Sequence, residues 1–404
     1  MSPPGRFAGH AVLELATGFG SATLAAKLLA DVGCPVYKLE PPSGDPLRAG
    51  AAPSGTGMDL FHLVSGSKQS ACCDLGHPAA RAVLDAILAR VEIVVADRDG
   101  MAALARLYPD GSLAEKFPRV TLAACTPFGT GGAQADWKAG EEGLQAMSGI
   151  MSTTGHPGRP PVRVAGAIVT HVAAMYAATS ILADLRAKES SGRGGHLDLA
   201  MFDAAISLLT SAFPAYFLSG RSPEGLGNRH LMAAPWNTYP CSDGWVVICA
   251  GNEPTWQRLV TAIGRADLAR DPQYATQEAR VRNVAALDAE IGRWTAVRTA
   301  HEVEAELDAQ GIPSGPILAL ADVLAHPQFV ARGLLRRDDG VAITGGVFHR
   351  DGRPLAIRAG AASLGAATRR LVVDHAGIEP AQYERWLRDA VLREDTEAAH
   401  AAAA

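Results

Sequence analysis

No two of the six cysteines in this 404-residue sequence stand as a CxxC pair, and no His/Cys cluster has zinc spacing. A metal site is therefore not expected. Cys34, Cys72, Cys73, Cys125, Cys241 and Cys249 read as reduced packing residues of a cytoplasmic protein. Adjacent Cys72 and Cys73 point to opposite faces of a strand. Excess positive charge is missing too: the net charge is −5, which speaks against nucleic acid as a partner. No apolar stretch of signal-peptide type follows the start MSPPGRFAGH, and there are no internal repeats. Val164–Ala183 lacks Asp, Glu, Lys and Arg over the length of a membrane span. It carries His171, Thr170, Thr179, Ser180 and many alanines behind a Gly-Pro-rich loop, so it reads as a strand or loop edge followed by a fully buried helix, with no membrane as partner.

What is present points to an α/β protein. Ala11–Leu15 reads as a buried strand, Thr17–Gly20 as a tight turn, and Ala22–Asp31 as a helix with Leu24, Leu28 and Leu29 on one face. Gly33 stops that helix, and Val36–Leu39 begins a second strand ending in Glu40. Gly18, Gly20 and Thr23 form GxGxxT. A dinucleotide fingerprint requires glycine or alanine at the third place, so an NAD-dependent oxidoreductase is the weaker reading. Amides at a helix N-terminus still favour an anion there. A helix over Pro78–Arg90 and strands at Glu92–Ala96 and Val120–Ala124 extend the alternation, which implies a parallel sheet covered on both faces. A helix is expected over Glu141–Met151.

From about Gly225 the texture changes to a smaller α/β domain, with a strand at Trp245–Ala250 and helices at Trp256–Ile263, Ala285–Ala296 and Ala300–Gln310. The expected boundaries are 1–220 for the first part of a large Rossmann-like CoA-binding domain, 225–334 for the small domain, 335–393 for a return to the large domain, and 394–404 for a disordered tail.

Eight motifs stand in order between about residues 10 and 335. They are VYKLEPPSGDPLR (36–48), SKQS with CDL (67–75), ADRDG (96–100), QAMSG (145–149), TTGHPGRPPVRVAGAIVT (153–170), GRGGHLD (192–198), GNRH (227–230) and GIPSGP (311–316). This set resembles the class III CoA-transferases, the formyl-CoA transferase or carnitine-dehydratase-like family. The resemblance implies a Rossmann-like large domain plus a smaller α/β domain in an interlocked-ring dimer. It implies an acyl-CoA and a small carboxylic acid as substrates, with no permanently bound cofactor. By motif position it places Gly18, Phe19, Gly20, Arg48, Lys68, Arg98 and Lys138 at CoA. Gln69 and Asp99 depart from the family's usual Arg and Pro. GNRH matches a mobile lid.

In that family an aspartate attacks the thioester and carries the acyl group as a mixed anhydride. Counting without gaps from Thr153, its place falls on Thr170. A hydroxyl without an adjacent base is a poor nucleophile, and its ester is too stable to pass the acyl group on. His171 points about 100° away on a helix. Glu141 lies where the family often has an acidic residue, which suggests a general acid/base role. The expectation is a CoA-transferase subunit that lacks the nucleophile. A homologous Asp-bearing subunit, or a second copy of the chain, would complete it. The alternatives are an acyl-CoA isomerase or racemase, whose His would fall near Gly140 and whose Asp on Thr170, and a non-catalytic CoA-binding protein.

Overall fold

The computed structural model describes residues 7–50, 60–109, 111–338, 341–344, 347–354 and 360–395. Most of the expected tail, 396–404, lies outside the described residues. The chain divides into two compact units. One comprises Met1–Ile150, Val164–Ser211 and Val330–Ala404, the other Met151–Arg163 and Ala212–Phe329.

The first unit is built on β1 (Val12–Leu15), β2 (Val36–Glu40), β3 (Gln69–Cys73), β4 (Ile93–Ala96), β5 (Thr121–Thr126) and β6 (His196–Ala200). These six run parallel in the order 3-2-1-4-5-6, and the short strand Leu392–Arg393 joins the β3 edge antiparallel. The first five strands are buried almost throughout, as befits a parallel sheet covered on both faces. Side chains alternate between the faces. Leu13, Leu15, Leu39 and Val94 pack with Leu84 and Ile87 on one side. Val12, Val36, Ile93 and Val95 pack on the other with helix α1 (Ser21–Val32). Gly33, at φ 112°, ends α1 in the left-handed conformation that glycine tolerates best.

The helix Ile168–Ser191 is long and apolar enough to cross a bilayer by length and composition. Its small residues Ala174 and Ala177, with Ile181, join the core beside α1, where the absence of bulk allows close packing. Full burial, expected from the sequence, is not what forms. Met175 and Tyr176 are 53% and 48% exposed, and His171 is exposed with Nδ1 2.7 Å from the Ala167 carbonyl. The helix also begins only at Ile168, so Val164–Ala167 is the irregular edge that precedes it.

The strand order reverses between β1 and β4. In open α/β sheets ligands bind in the crevice beyond the carboxyl ends of the strands at such a point. Here the helix Arg98–Leu107 starts close against the end of β1. A Cβ on Gly100 would lie 2.0 Å from the Leu15 carbonyl oxygen, so only glycine allows the approach.

The second unit holds an antiparallel sheet of β7 (Trp236–Pro240), β8 (Trp245–Cys249) and β9 (Ser314–Pro316). Helices Glu253–Ala262, Val284–Thr295 and Ala300–Asp308 enclose its core around Trp256, Tyr239, Ile248 and Leu287. The GNRH segment, read as a lid, is bonded along its length. Gly227 N donates to Gly155 O (2.6 Å), Asn228 to Thr238 (2.9 Å) and Arg229 to Asp288 (2.8 Å). Asn237 and Tyr239 donate to the same Asp288 carboxylate, which gives the segment a fixed anchor.

Candidate active site

A pocket of about 200 Å³ opens at the switch point of the first unit. Its walls come from the β1–α1 turn, the start of the Arg98–Leu107 helix, the end of β5, and the N-termini of the helices Glu141–Met147 and Ile168–Ser191. Thr170 is the third residue of its helix and 3% exposed. Its amide and its hydroxyl both donate to Glu141 Oε2, at 2.9 and 2.7 Å. Val169 N and Gln145 Nε2 donate to Glu141 Oε1, at 3.0 and 2.9 Å. An ionised carboxylate has about four acceptor positions, so Glu141 is saturated. It serves as a remote cap for orphan amides of the next helix, where a negative charge is favoured. Burial alone would raise its pKa. The donors from Gln145, Thr170 and Val169 outweigh that and hold it below the usual carboxylate value.

Asp97 and Asp99 are the other carboxylates lining the pocket. Asp97 accepts from Gly100 N (2.7 Å) and Thr17 N (3.0 Å), tying the ends of β4 and β1 together, and burial raises its pKa despite those bonds. Asp99 is exposed and pairs with Arg98 at 2.6 Å. A second, mostly apolar hollow of about 170 Å³ shares Thr17, Asp97 and Asp99 with the first, and continues over Leu15, Leu39, Pro41 and Leu75.

Of the residues expected at CoA, Phe19, Gly20 and Arg98 line the pocket. Lys138 is exposed and outside its lining. Gly18 does not offer its amide to a ligand but gives it to Asp45 (3.0 Å). Arg48 and Lys68 are turned inward by buried acids. Arg48 grips both Glu40 oxygens, at 2.7 and 2.6 Å, and stacks on Phe61. Lys68 Nζ lies 2.7 Å from Glu14 and donates to Thr23 O at 2.8 Å. Lys38 lies opposite Glu14 in the β1–β2 register and bridges it (3.1 Å) to Asp45 (2.8 Å). The motif residues thus form a buried charge network under the β1–α1 turn, with Glu14 and Glu40 both 0% exposed. Ser21, Thr23, Asp97 and Cys125 also line the pocket and were not read from sequence as site residues. Only Asp97 carried a local signal, as a helix N-cap three residues before Gly100.

Burial without enough counter-charge lowers the Lys68 pKa to about 8, since Glu14 is shared with Lys38. The unfolded chain then binds more protons between about pH 8 and the ordinary lysine value, so this group's contribution to stability rises with pH across that window. The expected result is that the wild type gains on a Lys68→Met variant in urea midpoint between pH 7 and pH 9.5. A difference that does not change with pH would mean that Lys68 stays charged.

The family model for CoA-transferase family III matches residues 7–368. The chain belongs to CoA-transferase family III. Proteins of this family take CoA thioesters and carboxylic acids as substrates. Among relatives, the chain is 34% identical over 335 residues to a succinyl-CoA–D-citramalate CoA-transferase of Chloroflexus aurantiacus, covering 82% of this chain and 83% of that protein. It is 32% identical over 356 residues to a succinate–glutarate CoA-transferase of Agrobacterium fabrum, covering 85% and 88%. A crystal structure of a CAIB/BAIF family protein from Brucella suis superposes with a TM-score of 0.79 at 30% identity, covering 92% of this chain and all of that one. The CoA-transferase assignment and the crevice at the switch point therefore come from independent observations.

Proposed function

We propose that this CoA-transferase moves CoA between an acyl-CoA and a dicarboxylic acid as the nucleophile-lacking subunit of a heteromer, with a homologous subunit supplying the aspartate. One observation carries the reading. At Thr170 the pocket presents a hydroxyl already bonded to Glu141, and each carboxylate in the lining is committed to other partners. A carboxylate whose acceptor positions are filled, as those of Glu141 are, must give up a hydrogen bond before it can attack a thioester, which makes it a poor nucleophile. We assign Glu141 a positioning role, fixing the helix start and Thr170. The citramalate, succinate and glutarate in the relatives' names support a dicarboxylic substrate.

The adenine end of CoA fits the apolar hollow over Leu15, Leu39 and Leu75, which leaves the thioester for the pocket at Thr170. Assembly as a dimer is supported by the helix Ala212–Ser219, where Phe217 and Leu218 are 78% and 80% exposed. Large exposed apolar side chains grouped in this way mark contact faces. The test is an exchange assay with succinyl-CoA and labelled glutarate, joined to light scattering. The chain alone should bind CoA and exchange nothing. Full exchange by the purified homomer would refute the reading.

A further inference from the structure

Ser21 and Thr23 stand in the first turn of α1, 3% and 1% exposed, and both line the 200 Å³ pocket. Neither hydroxyl has a hydrogen-bond partner among the described residues, and that of Thr23 is fully buried. Buried hydroxyls are nearly always bonded. The Thr23 hydroxyl is such an exception, and Ser21, two residues earlier, also lines the pocket without a partner, which together indicate a group that the chain does not itself supply.

The wall offers donors. Gly20 is the N-cap of α1 and has no side chain to satisfy the first-turn amides. Such amides are orphan donors at the positive end of the helix dipole. Thr170 lies in the same small pocket. A phosphate is poorly matched here: the one lining cation, Arg98, is held by Asp99, and Asp97 is close by. A single carboxylate needs only a few neutral donors and suits the pocket's size.

We propose that the first turn of α1, through Ser21, Thr23 and the turn amides, binds the second, non-reacting carboxylate of a dicarboxylic substrate. This rests on the reading of the chain as a CoA-transferase acting on diacids, and adds the group that selects a diacid over a monoacid. The geometry leaves the other carboxyl for the Thr170 side of the pocket.

Calorimetric titration of the full chain with succinate and with butyrate, its monoacid counterpart, tests the proposal, with CoA titrated separately. Succinate should bind saturably and butyrate about ten- to a hundredfold more weakly, the scale of hydrogen bonds to a charged group. Thr23→Val keeps the shape and removes an unpaired buried hydroxyl, so the variant should melt no lower than the wild type. Its succinate affinity should fall about tenfold with CoA affinity unchanged. Ser21→Ala should act in the same direction and serves as the second variant. Equal affinity for the two acids, no succinate binding, or a Thr23→Val variant that binds succinate normally would overturn the proposal. A chain that takes up CoA but not succinate would overturn this proposal alone, and one that takes up neither would overturn the transferase reading as well.

Discussion

Thr170→Asp should give the purified chain CoA exchange between succinyl-CoA and labelled glutarate at about a thousandfold or more above wild type, the scale on which a lost nucleophile is felt. The aspartate oxygen attacks the thioester carbon, the C–S bond breaks and CoA thiolate leaves. The mixed anhydride that remains keeps the acyl-transfer potential of the thioester. The position suits the substitution. It is the third residue of a 24-residue helix, where an acidic group is favoured. It also carries a cost. The Thr170 hydroxyl is 2.7 Å from Glu141 Oε2, so the new carboxylate meets an existing one. One of the two must titrate higher, and exchange by the variant should therefore fall on the acid side. A folded variant that binds CoA without exchanging it would show that more than the nucleophile is missing.

Glu14→Gln should cost about 3–5 kcal/mol of stability, the usual result of removing one partner from a buried ion pair. Glu14 is fully buried, between Lys38 at 3.1 Å and Lys68 at 2.7 Å. Lys38 keeps Asp45, but Lys68 is left with the Thr23 carbonyl. The loss should appear in the urea midpoint. The Gly18 turn should keep its bond to Asp45, because Asp45 retains Lys38 and the Leu47 amide. A loss under about 1 kcal/mol would mean that the network is a solvated surface feature.

The βαβ unit at the start of the chain was legible because buried parallel strands are continuous apolar runs and α1 has helical spacing. β6 was not, since HLDLA is half exposed on a sheet edge and lacks such a run. The pairing of Met151–Arg163 with the second unit rests on contacts such as Gly155 with Gly227, 72 positions apart, which no local pattern encodes. The site was legible in part. The motif placed Thr170 and Glu141 together, and their spacing of 29 residues is closed by the hydrogen bonds that join them. Arg48 and Lys68 were visible as charges, yet their inward direction depends on Glu40 and Glu14, which sit on neighbouring strands. Ser21 and Thr23 gave no sign of a binding role, because hydroxyls in a first helical turn are common, and only its burial without a partner distinguishes that of Thr23.

The most direct measurement is trapping with hydroxylamine after incubating the wild-type chain with succinyl-CoA, read by peptide mass spectrometry. Carboxylate-bound acyl groups yield a hydroxamate on the acidic residue that carried them. The structure leads us to expect no modified Asp or Glu in the wild type and a hydroxamate at position 170 in Thr170→Asp. A hydroxamate on Glu141, Asp97 or Asp99 of the wild type would contradict the claim that no carboxylate lining this pocket takes the acyl group.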